Sequence, residues 1–294
     1  MPEGDTIFRS ANALRKWLGG REVTDVASRE RSLGVDRLVG STLTSIESRG
    51  KHLLMTFEPA QLVLHTHMRM SGSWHVYPTG EKWRKPARQM VVSVTCGNRL
   101  AVCFNAPVVR LVAPHDLNLD SSLNNLGSDL LGDGGVDIDD IMRRIRAGNP
   151  RREAGNVLLD QHLLAGIGNI YRCETLYLHR CDPRTPIGTI SNDVLRSFIN
   201  TATVLLSHNA RIGSNGSRNF GLISNETWVY GRVERPCHAC GTLISCASWG
   251  DWLRLLYWCP RCQVTTGTLE PVLVSTSAIA TVLRRHNREL IARD

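Results

Sequence analysis

Apolar positions recur at helical spacing from the start of the chain. Ile7, Ala11, Leu14 and Leu18 fall on one stripe, and Gly19-Gly20 ends it. Asp5 or Thr6 is placed to cap the first turn. The period then changes. Stretches 52–57, 62–64, 90–95 and 100–104 are short, alternating or β-branched, and turn residues separate them, which predicts strands. An N-terminal β-sandwich with a leading helix is expected over residues 1–116. Residues 117–135 are rich in Asn, Ser, Asp and Gly and read as a linker. Helical periodicity returns at 138–147, 156–165, 169–178 and 192–207, inside a helical domain expected over 136–229. The Gly/Ser/Asn-rich stretch 211–221 reads as a surface loop. A four-cysteine unit follows over 230–266. In the tail, 267–294, Ile279, Val282, Leu283 and Leu290 suit one more helix. The fold class is therefore α+β and multidomain.

Composition narrows the function. Hydrophobic residues make up 42% of the 294 positions, too many for a disordered chain and enough for several cores. The net charge of +8 favours an anionic partner, and nucleic acid is the commonest one. No apolar run is long enough to span a bilayer, so no membrane partner is expected. The start has no basic leader followed by an apolar stretch, so a cytoplasmic, reducing compartment is expected. The nine cysteines then read as thiols or metal ligands rather than disulfides.

Four of them have metal-site spacing. Cys237-His-Ala-Cys240 and Cys259-Pro-Arg-Cys262 are Cys-x-x-Cys pairs 18 residues apart. Each pair suits a tight turn aiming two thiolates at one ion, and together they predict a closed tetrahedral site for one structural Zn²⁺. A redox pair is the weaker alternative, because the pairs are matched and lack a thioredoxin-like setting. His238 lies between ligands, but four sulfurs complete the shell. Cys96, Cys103, Cys173, Cys181 and Cys246 read as packed thiols. Residues 249–258, between the pairs, read as strand, turn and strand, with Arg254 placed to reach a phosphate or a groove. Alone, this ribbon gives a binding module and no reaction.

Two further motifs carry chemistry. Pro2 follows the initiator methionine, and removal of Met1 would leave a secondary amine. An ordinary α-amine has a pKa of about 7.7–8.0, and a helix N-terminus beside it disfavours the ammonium form. Such an amine can attack a sugar carbon and form an iminium, with Glu3 moving protons. The tripeptide alone is common and decides nothing. In the middle, a helix through 158–164 is expected to run into Gly166-Ile167-Gly168, with Asn169 capping the next helix. Free N–H groups there suit a phosphate, although a plain helical hairpin with a glycine turn fits the same residues.

Together, Met1-Pro-Glu-Gly4, Asp160-Gln-His-Leu-Leu-Ala-Gly-Ile-Gly-Asn-Ile-Tyr171 and the cysteine ribbon resemble the formamidopyrimidine-DNA glycosylase/endonuclease VIII family, in the same order and over about residues 1–266. The resemblance implies a bacterial base-excision-repair enzyme, monomeric and nucleoid-associated, acting on damaged double- or single-stranded DNA. It implies a helix–two-turn–helix domain and a zinc ribbon. It implies Pro2 as nucleophile, Glu3 as proton carrier, and Lys51, in Ser48-Arg-Gly-Lys-His52, as a phosphate-holding turn lysine. Asn169 and Arg254 are implied as DNA contacts, and Arg69, Met70 and Ser71 as the loop that fills the vacated stack.

The branch follows from two departures. An Arg-Phe pair that faces the orphan base in the formamidopyrimidine branch is missing from Asn105-Ala-Pro-Val-Val-Arg110-Leu111. With the opening Pro-Glu-Gly, this favours oxidised pyrimidines over an 8-oxoguanine type of activity. Asp5-Thr6 stands where the family has a second Pro-Glu, which suggests a bias toward abasic sites and single strands. A DNA-binding paralogue with weak lyase activity only, or a zinc-stabilised interaction protein, would share the ribbon but not need Pro2, Glu3 and Lys51.

Overall fold

The structure is a computed structural model. It describes residues 1–132, 134–212, 217–222, 226–251 and 253–264. The helix expected around Ile279, Val282, Leu283 and Leu290 lies outside the described residues, as do 213–216 of the glycine-rich loop. The chain divides into two compact units, Met1–Asp133 and Gly134–Asp294. That division falls inside the stretch 117–135.

The first unit opens with α1 (Gly4–Leu18), which buries Ile7, Ala11, Leu14 and Leu18 as its periodicity predicts. The N-cap is Glu3 rather than Asp5 or Thr6; its carbonyl accepts the Thr6 and Ile7 N–H groups at 2.9 and 3.2 Å. Asp5 is already inside the helix and fully buried, where Arg9 reaches it at 3.4 Å. Eight strands follow: β1 (Asp25–Ser28), β2 (Thr42–Arg49), β3 (His52–Glu58), β4 (Leu62–His67), β5 (Ser73–Pro78), β6 (Met90–Cys96), β7 (Arg99–Phe104) and β8 (Val108–Val112). They make two antiparallel sheets, ordered β1-β6-β7-β5 and β2-β3-β4-β8. α1 packs against β2 of one sheet and β5 and β7 of the other. Leu43, Leu53, Met55 and Leu64 join Val92, Val94 and Ala101 and the apolar stripe of α1 in one core. Each leucine, isoleucine, valine or methionine among them contributes roughly 1.5–3 kcal/mol on burial.

Most of the stretch expected as a linker is folded onto this unit. α2 (Pro114–Leu117) and α3 (Ser121–Asn124) lie in or next to it, and Asp120 caps α3 by accepting the Ser122 N–H. Leu117, Leu123 and Leu126 pack with Leu54 and Val63. Polar turn residues mask these leucines in the sequence pattern.

The second unit holds α4 (Ile138–Ala147), α5 (Ala154–Leu159), α6 (Asn169–Leu178) and α7 (Asn192–Arg211). α4 and α6 have the expected bounds, and α7 runs one turn longer. α5 stops at Leu159, well short of 165, because polar side chains take over the backbone. Asp160 Oδ1 accepts the His162 N–H at 2.9 Å. Gln161 Nε2 donates to the Leu159 and Ile167 carbonyls at 2.8 Å, and its Oε1 accepts the Gly166 N–H at 3.2 Å. Such local bonds compete with helix continuation. A hairpin of Ser245–Trp249 and Arg254–Trp258 completes the unit, in register Trp249↔Arg254 and Ser245↔Trp258. Its second strand packs on α6. Among the described residues, no helix is long and apolar enough to cross a membrane.

Candidate functional site

Pro2 and Glu3 stand at the N-terminus of α1, where the helix dipole makes the potential positive. Pro2 is half-buried and Glu3 fully buried. The Glu3 side chain makes no cap bond at this helix end.

Lys51 occupies a two-residue turn between β2 and β3, closed by the pair Arg49↔His52. Gly50 adopts φ 57°, which a residue with Cβ rarely does, and its N–H donates to Asp129 Oδ2 at 2.7 Å. Three imidazoles crowd beside this turn. His52 stacks on His65, with ring centroids 5.0 Å apart, and His67 meets His52 edge-on at 4.6 Å. His52 Nδ1 and His65 Nε2 share a hydrogen bond of 2.8 Å. Arg110 Nη2 donates to His65 Nδ1 at 2.9 Å and also pairs with Asp120. This cluster was not foreseen. The strand expected at 62–64 runs on as β4 through His67, placing His65 and His67 in register with β3.

The loop that carries Arg69, Met70 and Ser71 begins at Met68, directly after β4. Met68 is buried and anchors it. The Arg69 N–H donates to His67 Nδ1 at 3.1 Å, and Gly72 N–H to the Met68 carbonyl at 2.9 Å. Ser71 Oγ donates to the Asn105 carbonyl at 3.1 Å. A Cβ on Gly72 would sit 2.8 Å from Met68 Cα, so only glycine closes this turn. Met70 is left at the tip, 54% exposed.

Burial holds all three histidines neutral. It pushes His52 down to about 3, with His67 and His65 adding to the effect. His65 falls to about 4 through burial and then Arg110, and His67 to about 4 through burial and then Lys51 and Arg69. The unfolded chain takes up protons at these positions from about pH 6.5 downward, while the folded chain does not. Their contribution to stability is therefore present above pH 6.5 and lost as pH falls toward 4. Calorimetry should find the melting midpoint of the first unit falling steadily over that interval. A midpoint flat from pH 7 to 4.5 would contradict the buried neutral cluster.

In the second unit Gly168, not Asn169, is the N-cap of α6. Asn169 is the first helical residue and is buried. Its Nδ2 donates to the Leu255 carbonyl at 2.7 Å, and buried Arg172 donates to its Oδ1. The start of α6 is thereby tied to the hairpin one residue from exposed Arg254. Trp249 Nε1 donates to Glu153 Oε2 at 2.5 Å, securing the other strand. Glu174, also unforeseen, is fully buried and accepts the Trp228, Val229 and Tyr230 N–H groups at 2.6, 3.1 and 2.9 Å. Desolvation lifts its carboxyl to about 7 against those three donors.

The cysteine ribbon has the geometry its spacing predicts. The sulfurs of Cys237, Cys240, Cys259 and Cys262 all lie within 4.8 Å of one another. Cys237 and Cys262 are 3.9 Å apart and Cys240 and Cys259 3.5 Å. A tetrahedral ion with metal–sulfur bonds of about 2.3 Å needs about 3.8 Å between sulfurs. The donor set thus fits a zinc site. His238 turns away, toward Glu226 at 3.4 Å. Cys173, Tyr177, Val229 and Leu256 pack around the ligands.

Comparison with known proteins agrees with this arrangement. Residues 1–107 match the model of the formamidopyrimidine-DNA glycosylase N-terminal domain, and residues 131–220 that of the formamidopyrimidine-DNA glycosylase H2TH domain. A Streptomyces coelicolor protein named "Probable endonuclease 8 2" is 37% identical over 266 residues, 90% of this chain and 94% of that protein. A Mycolicibacterium smegmatis protein named "DNA-(apurinic or apyrimidinic site) lyase Nei2" is 33% identical over 273 residues, 90% of this chain and all of that one. The Lactococcus lactis Fpg structure with abasic-site DNA superposes with a TM-score of 0.75 at 20% identity, over 90% of this chain and 100% of that one. At that identity the likeness carries the fold alone.

Proposed function

This chain belongs to the formamidopyrimidine-DNA glycosylase/endonuclease VIII family, and from that premise we propose that it is a bifunctional DNA glycosylase and abasic-site lyase of base excision repair, acting in the bacterial cytoplasm on nucleoid DNA. The observation that carries the reading is the pairing of Pro2 with buried Glu3 at the head of α1, inside the matched residues 1–107. The damaged nucleotide is turned out of the stack at a cost of a few kcal/mol. The Pro2 nitrogen attacks C1′, and the glycosidic electron pair leaves with the base. Glu3 supplies a proton to the ring oxygen as the sugar opens to the iminium. Loss of a proton from the carbon next to the iminium expels one phosphate, and a second elimination expels the other. Lys51 holds a phosphate beside the lesion, and Met70, flanked by Arg69 and Ser71, fills the gap. Arg254 contacts the backbone from the second unit, and beside it the N–H groups at the head of α6 suit a second phosphate, with Asn169 bracing that helix end against the hairpin. Cys237, Cys240, Cys259 and Cys262 hold one Zn²⁺ that folds the ribbon and takes no part in the chemistry. The net charge of +8 supports DNA as the partner.

Oxidised pyrimidines are the favoured lesions. Arg110, the arginine nearest the missing Arg-Phe pair, is engaged by His65 and Asp120, which argues against its reading an orphan base. Asp5, the nearest substitute for the family's second glutamate, is buried against Arg9. Abasic DNA should therefore be cut faster than any intact lesion. A gel panel tests both points. Thymine glycol duplex should be cut about tenfold faster than 8-oxoguanine duplex, a difference near 1.4 kcal/mol. Faster cutting of 8-oxoguanine, or of intact lesion duplex over abasic DNA, would overturn this part of the reading.

A further inference from the structure

We propose that Arg110, His65 and His52 form a directed hydrogen-bond relay that positions the Lys51 turn, a role resting on the reading of Lys51 as the phosphate-holding residue. Arginine has donors and no acceptor, so its contact with His65 Nδ1 at 2.9 Å leaves that nitrogen unprotonated. The His65 proton then sits on Nε2 and is donated to His52 Nδ1 at 2.8 Å. His52 in turn keeps its proton on Nε2. The direction of the whole chain is set at its outer end by Arg110, which Asp120 holds in place.

The relay ends at the turn. His52 is the first residue of β3 and directly follows Lys51, and its cross-strand partner is Arg49. The other side of the turn is fastened by Gly50 N–H on Asp129. Lys51 is therefore clamped on both sides, by a carboxylate acting on the backbone and by an imidazole that cannot rotate without breaking its hydrogen bond to His65, a ring itself held at both nitrogens. An apolar residue at 52 would fill the space but leave the ring position unspecified. A charged imidazole would repel Lys51. The chain from Arg110 satisfies both demands, because each imidazole is neutral and each is held in one tautomer. Nothing in the proposed chemistry uses these three side chains, yet His52 and His65 are buried and all three are engaged.

The test uses Arg110, whose side chain is 46% exposed, so that Arg110→Met leaves the core packing intact. Nitrogen-15 spectra of the parent should report His52 and His65 as single Nε2–H tautomers. In Arg110→Met the two signals should shift toward exchange between tautomers, and Arg110→Lys, which keeps a donor, should restore them. On abasic DNA, Arg110→Met should raise KM about tenfold with kcat within about twofold, and Arg110→Lys should recover most of it. In a Lys51→Ala background Arg110→Met should add nothing, because residues acting through one group are not additive. Full additivity, or a parent spectrum with Nδ1–H tautomers, would overturn the relay. If Lys51→Ala leaves KM unchanged while the spectra behave as stated, the Lys51 assignment fails and the tautomer relay stands without its proposed purpose.

Discussion

Pro2→Gly with a short N-terminal extension should lose borohydride trapping and cleavage of abasic DNA by at least about 10³-fold, the scale expected when a covalent nucleophile is removed. The extension matters, because a bare N-terminal glycine would still offer a primary amine. Removing the ring alone could therefore leave partial activity. With the terminus blocked, no amine remains at the head of α1, and no iminium can draw electrons from the sugar. The variant should still fold, since Pro2 precedes the helix and Glu3 caps it through its backbone carbonyl. It should also still bind abasic DNA with near-parental affinity, because Lys51, Asn169 and Arg254 are untouched. Trapping and cleavage at parental rates in this variant would contradict the assignment.

Removing the metal should have the next largest effect, on binding rather than chemistry. Structural zinc in small fingers supplies roughly 10–16 kcal/mol of apparent binding energy that is also folding energy. Here Cys237 and Cys259 are part of a small core with Cys173, Tyr177 and Leu256. Tyr177 Oη lies 3.2 Å from Cys237 Sγ, so loss of the ion loosens α6 as well as the hairpin. The Asn169–Leu255 bond depends on the same hairpin. Chelation, or Cys259→Ser, should lower affinity for abasic DNA by about 100-fold or more, as two binding elements are lost together. The first unit, with its separate core, should keep its melting transition. Unchanged DNA affinity in protein shown to be metal-free would refute a folding role for the ribbon.

What the residues reveal in advance follows a physical pattern. Features that depend on local spacing were legible. The cysteine pairs, the stripe of α1 and the short apolar or β-branched strands β3, β6 and β7 all appear where the sequence puts them, and β4 starts where expected but runs three residues further. Strand β2 was not legible, because a bulge between Leu43 and Ser45 breaks its alternation. Its buried Leu43 and Ile46 are then three apart, which looks helical. The end of α5 is masked in the sequence because apolar residues continue past it while Asp160 and Gln161 divert the backbone. The histidine cluster needs knowledge of which strands pair. Only the register His52↔His67 and His65↔Arg110 brings the rings together, and no sequence period contains that. Asn169 lies where its motif suggests, but its bond to Leu255 crosses 86 residues of chain.

Mass spectrometry of the reduced crosslink to abasic DNA reads the central claim directly. The adduct should lie on the ring nitrogen of residue 2, in a peptide that begins at Pro2 with Met1 gone. An adduct on Lys51 or another side chain, or a crosslinked peptide that retains Met1, would contradict it.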